Sequence, residues 1–337
     1  MRKKKFIYSA LVGLLLLATG CINDDLPTTP SNDGGVEEGP QQPRPALARI
    51  WLATSVAMQG DMLGFVQENP EAGFTRAGTA IQSTQFDSGE HFYAYFPNGV
   101  RIGTTDGNHV TFSTDGSTTP ATAQQLYFPA AVTNVPVHAY YPSAVTNTTS
   151  SFSVAADQTA DANYKASDLM YAYGEATRNP GDAQGSGTLT FYHRMAKIIV
   201  SATANTSKGV STITDIRIVG GHRTIDIATP QTCTLGTTLT DANTTSDYIS
   251  VYTGGTSATA ERAALVVPET ITGAFLQVVT NMGTATYSLD NKTFASGSSY
   301  TFNITISAAS IGITTAITNW ANGGTETLVN DGTEALN

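Results

Sequence analysis

From residue 46 onward, short apolar-rich runs alternate with clusters of Gly, Pro, Asn and Asp. In Tyr300-Thr-Phe302-Asn-Ile304-Thr-Ile306 every second residue is apolar, which is the period of a strand with one buried face. Leu47–Thr54 is compatible with a strand, although its alternation is imperfect. His91–Phe96 ends at Pro97-Asn98-Gly99, and Val110–Phe112 is followed by Asp115-Gly116. Leu126–Phe128, Val135–Tyr141 and Ser151–Val154 continue the series. Asp157 to Met170 is the one stretch read as a short helix. Asn179–Gly187 is glycine-rich and reads as a hinge. Beyond it come Thr188–Tyr192, Ala196–Ala202, Ile213–Val219, Thr224–Ile227, Ala263–Val267, Ala274–Thr280, Thr284–Leu289 and Ile311–Ile317. Many short strands separated by turn residues predict an all-β chain built as two β-sandwiches in tandem, over 46–180 and 185–337.

The first 45 residues follow another pattern. Arg2, Lys3, Lys4 and Lys5 precede an apolar run from Phe6 to Ala18. A charged head and a short apolar stretch mark an export signal, since a membrane span needs about 20 residues. Leu17-Ala18-Thr19-Gly20-Cys21 resembles the lipobox of bacterial lipoproteins, with Ala18 where that pattern prefers Leu. The resemblance implies a signal peptide over 1–20, a diacylglyceryl thioether on Cys21, and acylation of the new amine. Several acyl chains hold a protein to a bilayer far better than one, because each buried CH₂ adds about 0.8 kcal/mol. Residues 21–45, with Asp24, Asp25, Glu37, Glu38 and several Pro, read as a disordered acidic tether.

Composition narrows the class. The formal charge is −10, and removal of the signal's four cations leaves the mature chain more acidic still. With no basic run outside the signal, nucleic acid is not an expected partner. Charged residues make up only 13% of the chain, a balance that suits an extracellular β protein better than a helical cytosolic enzyme. There are two cysteines. Cys21 is assigned to lipid, so Cys233 has no partner for an intrachain disulfide and reads as a small buried filler.

No catalytic constellation emerges. The five His (His91, His109, His138, His193, His222) are dispersed, and no zinc-protease, nucleophile-elbow, P-loop or dinucleotide motif occurs. Asp157, Asp161 and Asp168 lack the Gly and terminal Glu of a calcium loop. Gly185-Ser-Gly187 precedes no helix pattern. His193 reads as a hydrogen-bonded structural residue, and Trp51, Tyr140, Tyr141 and Trp320 read as core aromatics. No enzyme activity, metal or cofactor is expected.

Phe92-Tyr93-Ala94-Tyr95-Phe96, His138-Ala139-Tyr140-Tyr141-Pro142, Ser167-Asp168-Leu169-Met170-Tyr171-Ala172, Leu189–Ile198, Ala264–Pro268 and Tyr300–Trp320 occur in that order. In this order they resemble the fimbrillin family of lipoprotein pilins. The resemblance spans roughly residues 46–320. It implies two transthyretin-like (Ig-like, Greek-key) sandwiches and a surface pilus subunit that supports adhesion. It also implies polymerisation by protease-triggered donor-strand exchange. A trypsin-like, Arg-specific surface protease would cut between Arg76 and Ala77 in Phe74-Thr75-Arg76-Ala77-Gly78, making 46–76 the removable first strand and its cleavage loop. Removing a strand bares an apolar groove and unpaired backbone groups, which β-strand addition can fill. About four apolar side chains at roughly 1.5–3 kcal/mol each would supply about 6–12 kcal/mol before ordering costs. The donor candidates are Ile311, Ile313 and Ile317, and Leu328 and Val329 in the tail. Expected partners are other pilin subunits, the protease, outer-membrane lipid through Cys21, and a host protein or glycan. Localisation would be the outer-membrane surface, then the fimbrium after processing. Two alternatives stay open: a tip adhesin that accepts a strand without passing one on, and a surface glycan-binding lipoprotein of a nutrient-uptake system.

Overall fold

The computed structural model describes residues 48–57, 86–115, 120–307, 314–317 and 326–329. The described chain is almost entirely β, with one six-residue α-helix and two single 3₁₀ turns.

The first half forms an eight-stranded sheet. Its strands are β1 (Arg49–Val56), β2 (Ser88–Ile102), β3 (Thr105–Asp115), β4 (Ala121–Thr122), β5 (Leu126–Tyr127), β6 (Asn134–Tyr141), β8 (Met170–Thr177) and β9 (Gln184–His193), with β7 (Ser151–Ser153) leaving the series. The order is β4-β3-β2-β5-β1-β9-β8-β6. A further pairing of β2 with β6, at Tyr93↔Tyr140, Ala94↔Ala139 and Tyr95↔His138, closes six of these strands into a barrel. Alternation sorts the faces as the sequence predicts. In β2, Phe92, Ala94 and Phe96 point inward and Tyr93 and Tyr95 outward. In β6, Val135, Val137, Ala139 and Tyr141 do the same. The barrel interior is aromatic: Phe92 stacks on Phe112 at 5.0 Å and meets Phe191 edge-on at 5.1 Å.

Gly185 and Gly187, read as part of a hinge, lie inside β9 instead. A Cβ on Gly187 would stand 2.5 Å from the Glu175 carbonyl of β8, and one on Gly185 2.5 Å from the Phe128 ring. Close strand approach, not flexibility, explains these glycines.

The second half carries β10 (Ala196–Ala204), β11 (Ile213–Ile218), β12 (His222–Thr229), β13 (Thr234–Ala242), β14 (Ile249–Tyr252), β15 (Thr259–Val266), β16 (Thr270–Thr280), β17 (Gly283–Thr293) and β18 (Ser299–Ile306). A three-stranded sheet, β15-β10-β18, and a four-stranded sheet, β14-β11-β16-β17, share one core. Ile198, Val200, Ile216, Phe275 and Phe302 are buried there.

The halves are not strung as separate beads. β7 pairs with β12 through Ser153↔Thr224, Phe152↔Ile225 and Ser151↔Asp226. The helix α1 (Asp161–Ala166), shorter than the 157–170 expected, buries Tyr164 in the second core together with Leu169. The buried Gln158 amide donates to the Leu265 carbonyl and accepts from its N–H, both at 2.8 Å, so it acts as one extra strand residue on the edge of β15. Apolar side chains at 152, 154, 164 and 169 draw this stretch onto the second core.

Candidate functional site

The site singled out from the sequence is the first strand and the groove beneath it. β1 alternates cleanly: Ile50, Leu52, Thr54 and Val56 are buried, while Trp51, Ala53 and Ser55 face outward. Trp51, expected in the core, is 42% exposed. It takes the wrong parity for burial, and the Arg49 guanidinium covers its ring at 4.7 Å.

The two edges of β1 differ. Along one edge it runs parallel to β9 in unbroken register, from Arg49↔Gln184 through Leu52↔Gly187 to Val56↔Phe191. Arg49 N–H to the Ala183 carbonyl (2.9 Å) and Ala57 N–H to the Phe191 carbonyl (2.8 Å) extend that ladder at both ends. Along the other edge the ladder has a single pair, Arg49↔Tyr127 of β5. One further bond, from Phe128 N–H to the Ala48 carbonyl at 2.9 Å, lies beside it. Among the described residues, 50–56 have no ladder partner there. The barrel is therefore closed at β1 by a seam only one pair deep.

The inward side chains of β1 belong to an apolar core that also holds Leu126, Phe128, Leu189, Phe191 and Phe86. Phe86 meets Phe191 edge-on at 4.9 Å and lies 5.3 Å from the Tyr141 ring. Burial of Ile50, Leu52 and Val56 contributes about 1.5–3 kcal/mol each, so β1 is an integral part of the core.

A polar clamp fixes the chain where β2 begins. Lys165 of α1 donates to Asp87 Oδ2 at 3.0 Å and Glu90 Oε1 at 2.8 Å, and the Tyr141 hydroxyl donates to Glu90 Oε2 at 2.6 Å. Burial works to lower the Lys165 pKa, but hydrogen bonds and charge from Glu90 and Asp87 outweigh it and raise the pKa above its ordinary value. Burial first, then the Glu90 hydrogen bond, raises that of Tyr141. The clamp ties Asp87 and Glu90 to Lys165 of α1 and, through Glu90, to Tyr141 of β6.

Other predicted residues fall as follows. Cys21, Arg76, Ala77, Ile311, Ile313 and Trp320 lie outside the described residues. Ile317 ends β19 (Thr314–Ile317), and Leu328 and Val329 lie in β20 (Glu326–Val329). The two donor candidates pair with each other, antiparallel, from Thr314↔Val329 to Ile317↔Glu326, in a sheet of their own. Cys233 is buried, and burial pushes its thiol up to about 11. His193 is structural: Nδ1 lies 2.9 Å from Oδ1 of the fully buried Asp168, joining the end of β9 to the start of β8. Among the described residues, no group of three or more His, Cys, Asp or Glu is placed to hold a metal, and no helix is long and apolar enough to cross a membrane.

The profile of fimbrillin-like proteins matches residues 75–320. The chain belongs to the fimbrillin-like family. This agrees with a structural, non-enzymatic protein of the fimbrial and cell-adhesion class. No curated protein matches the chain. Among solved structures, one similar fold is a protein provisionally described as a cell adhesion protein from Bacteroides ovatus, at 15% identity and TM-score 0.57, covering 83% of this chain and 100% of that one. A second, described in the same words, is from Bacteroides uniformis, at 18% identity and TM-score 0.53, covering 81% and 98%. A third, from Bacteroides fragilis, has 11% identity and TM-score 0.50, covering 86% and 99%. At these identities the likeness is one of fold.

Proposed function

We propose that this fimbrillin-like chain is a subunit of a surface pilus that polymerises by donor-strand exchange and supports adhesion. In this reading the chain is anchored in the outer membrane through lipid on Cys21. A trypsin-like protease cuts between Arg76 and Ala77, β1 leaves with its anchor, and a strand from another subunit occupies the vacated groove. The two halves act as tandem transthyretin-like domains, the first accepting the strand and the second carrying the donor segment.

One observation carries the reading: the asymmetric seating of β1. The strand fills an apolar groove, is laddered in full on one side and is joined at one pair on the other. Such a strand can withdraw along its open side without dismantling an antiparallel hairpin. Its withdrawal exposes the β9 edge, a template for strand addition. The clamp at Asp87, Glu90, Lys165 and Tyr141 supports the same reading, because it keeps the rest of the barrel tethered just downstream of the cut.

The test is Arg76→Ala in cells that carry the processing protease. The expected outcome is an unprocessed lipoprotein and no fibres. Normal fibres from Arg76→Ala would contradict cleavage at this position.

A further inference from the structure

The outer face of the barrel carries two cross-strand rows of aromatic side chains. In the first, Tyr93 of β2 pairs with Tyr140 of β6, Tyr140 with Tyr171 of β8, and Tyr171 with Tyr192 of β9. In the second, two residues along each strand, His109 of β3 pairs with Tyr95 of β2, Tyr95 with His138 of β6, and His138 with Tyr173 of β8. These side chains point away from the barrel core, taking the parity opposite to Ala94, Ala139, Ala172 and Phe191.

The fold covers the first row and leaves the second open. Tyr140 and Tyr171 are buried in the second core. The Tyr140 hydroxyl donates to the Gln231 carbonyl at 2.6 Å, in the turn between β12 and β13. In the second row Tyr173 is 51% exposed and His109 is exposed, while Tyr95 and His138 are half-buried. The His138 ring lies 5.0 Å from that of Tyr173 and 6.3 Å from that of Tyr95. His138 Nδ1 is 2.7 Å from the Tyr171 hydroxyl, which anchors the open row on the covered one. Single exposed aromatics are ordinary, but a contiguous row marks a binding surface.

Charge, spacing and tilt define the occupant. Neither row holds Lys or Arg, and Arg194 lies over the covered Tyr171 at 5.3 Å. Burial lowers the His138 pKa against the opposing effect of the Gln231 backbone, so its ring is neutral at pH 7. Glu175 accepts from the Tyr173 hydroxyl at 3.2 Å and sets a carboxylate at the edge of the open row. An anionic chain, nucleic acid included, finds no counter-charge here, whereas a neutral polyol finds acceptors for its hydroxyls. Successive positions in the row follow the strand spacing, about 4.8 Å, the scale of one sugar ring in an extended polysaccharide. A polyproline helix repeats every three residues, about 9 Å, nearly twice that step. Neighbouring rings are inclined by 42° and 57°, so the face turns with the sheet and suits a single twisting chain better than a flat crystalline surface.

We infer that the row His109, Tyr95, His138 and Tyr173 binds a neutral polysaccharide chain running across the strands. Sugar rings stack on the aromatic faces, and their hydroxyls bond to Glu175 and to the polar tips of Tyr and His. This goes beyond the strand-exchange reading and does not depend on it, because all four residues lie outside β1 and downstream of Arg76.

The test is affinity electrophoresis of the full chain, in a non-ionic detergent free of sugar groups, through native gels containing laminarin, mannan or glycogen. At least one of these neutral polysaccharides should retard the chain at pH 7. Tyr173→Ala should weaken the affinity about fivefold, the effect of losing one stacked ring, and Tyr173→Phe should retain most of it. Tyr95→Ala combined with Tyr173→Ala should abolish retardation. Met282→Ala, at an exposed side chain in the β16–β17 turn, should leave it unchanged. Native melting temperatures in the variants serve as the folding control. Retardation that survives the double variant would overturn the site. Retention by heparin alone, or by immobilised polyproline alone, would overturn the ligand class. No retardation in any of the neutral gels would overturn polysaccharide binding altogether.

Discussion

At the scale of single residues, burial decides what each polar or reactive group does. Cys233 is the clearest case. Its thiol is buried and raised to about 11, well above the ordinary value near 8.5. The neutral form is the one the fold accommodates. Its contribution to stability is therefore complete below the ordinary thiol pKa and is lost as pH rises toward 11. At pH 8 a thiol reagent should modify the folded chain at least a hundredfold more slowly than the urea-unfolded chain; equal rates would contradict the burial of Cys233. The sequence made this residue legible because a lone cysteine without a partner has few other uses. It could not reveal that Gly185 and Gly187 serve strand contact, because the Glu175 carbonyl and the Phe128 ring that require them are remote in sequence.

At the scale of elements, β1 concentrates the functional argument. Its alternation was visible in the sequence only imperfectly, since Trp51 read as a core residue, and the structure turns it outward. Its partner was not visible at all. A parallel pair such as β1–β9 has no connecting turn to announce it, unlike the antiparallel β16–β17 pair, whose residues lie close in the chain. The seat of β1 carries a quantitative consequence. Leu52→Ala removes a buried side chain and should cost about 2–5 kcal/mol before cleavage, read as a shift of the urea midpoint. After cleavage the variant should polymerise as well as native or faster, because the lost contact belongs only to the departing strand. Loss of polymerisation in Leu52→Ala, with the cleaved fold intact, would place the residue in the polymer and contradict the exchange.

At the scale of the molecule, two apolar cores are joined by residues that cross between the halves. Phe152, Tyr164, Leu169 and the Gln158 amide come from the first half and are buried in the second core. A sequence-level boundary near 180–185 could not foresee this, since β9 continues the first sheet to His193 and β7 reaches across to β12. What the strand pattern did convey was the all-β class, and the ordered blocks conveyed the family. The closure of the barrel by β2 and β6 depends on non-local pairing that a strand period does not encode. The proposed loss of β1 leaves in place the clamp at Asp87 and Glu90 and the residues that cross between the halves.

In the proposed exchange β1 is a removable placeholder for another subunit's strand. Limited trypsin treatment of the full chain, followed by N-terminal sequencing and negative-stain microscopy of the product, tests it most directly. The expected result is a new N-terminus at Ala77, loss of 48–56 from the folded product, and filaments that appear only after the cut. A product cut at Arg76 that retains 48–56 in the barrel, or a chain that is not cut there, would contradict it.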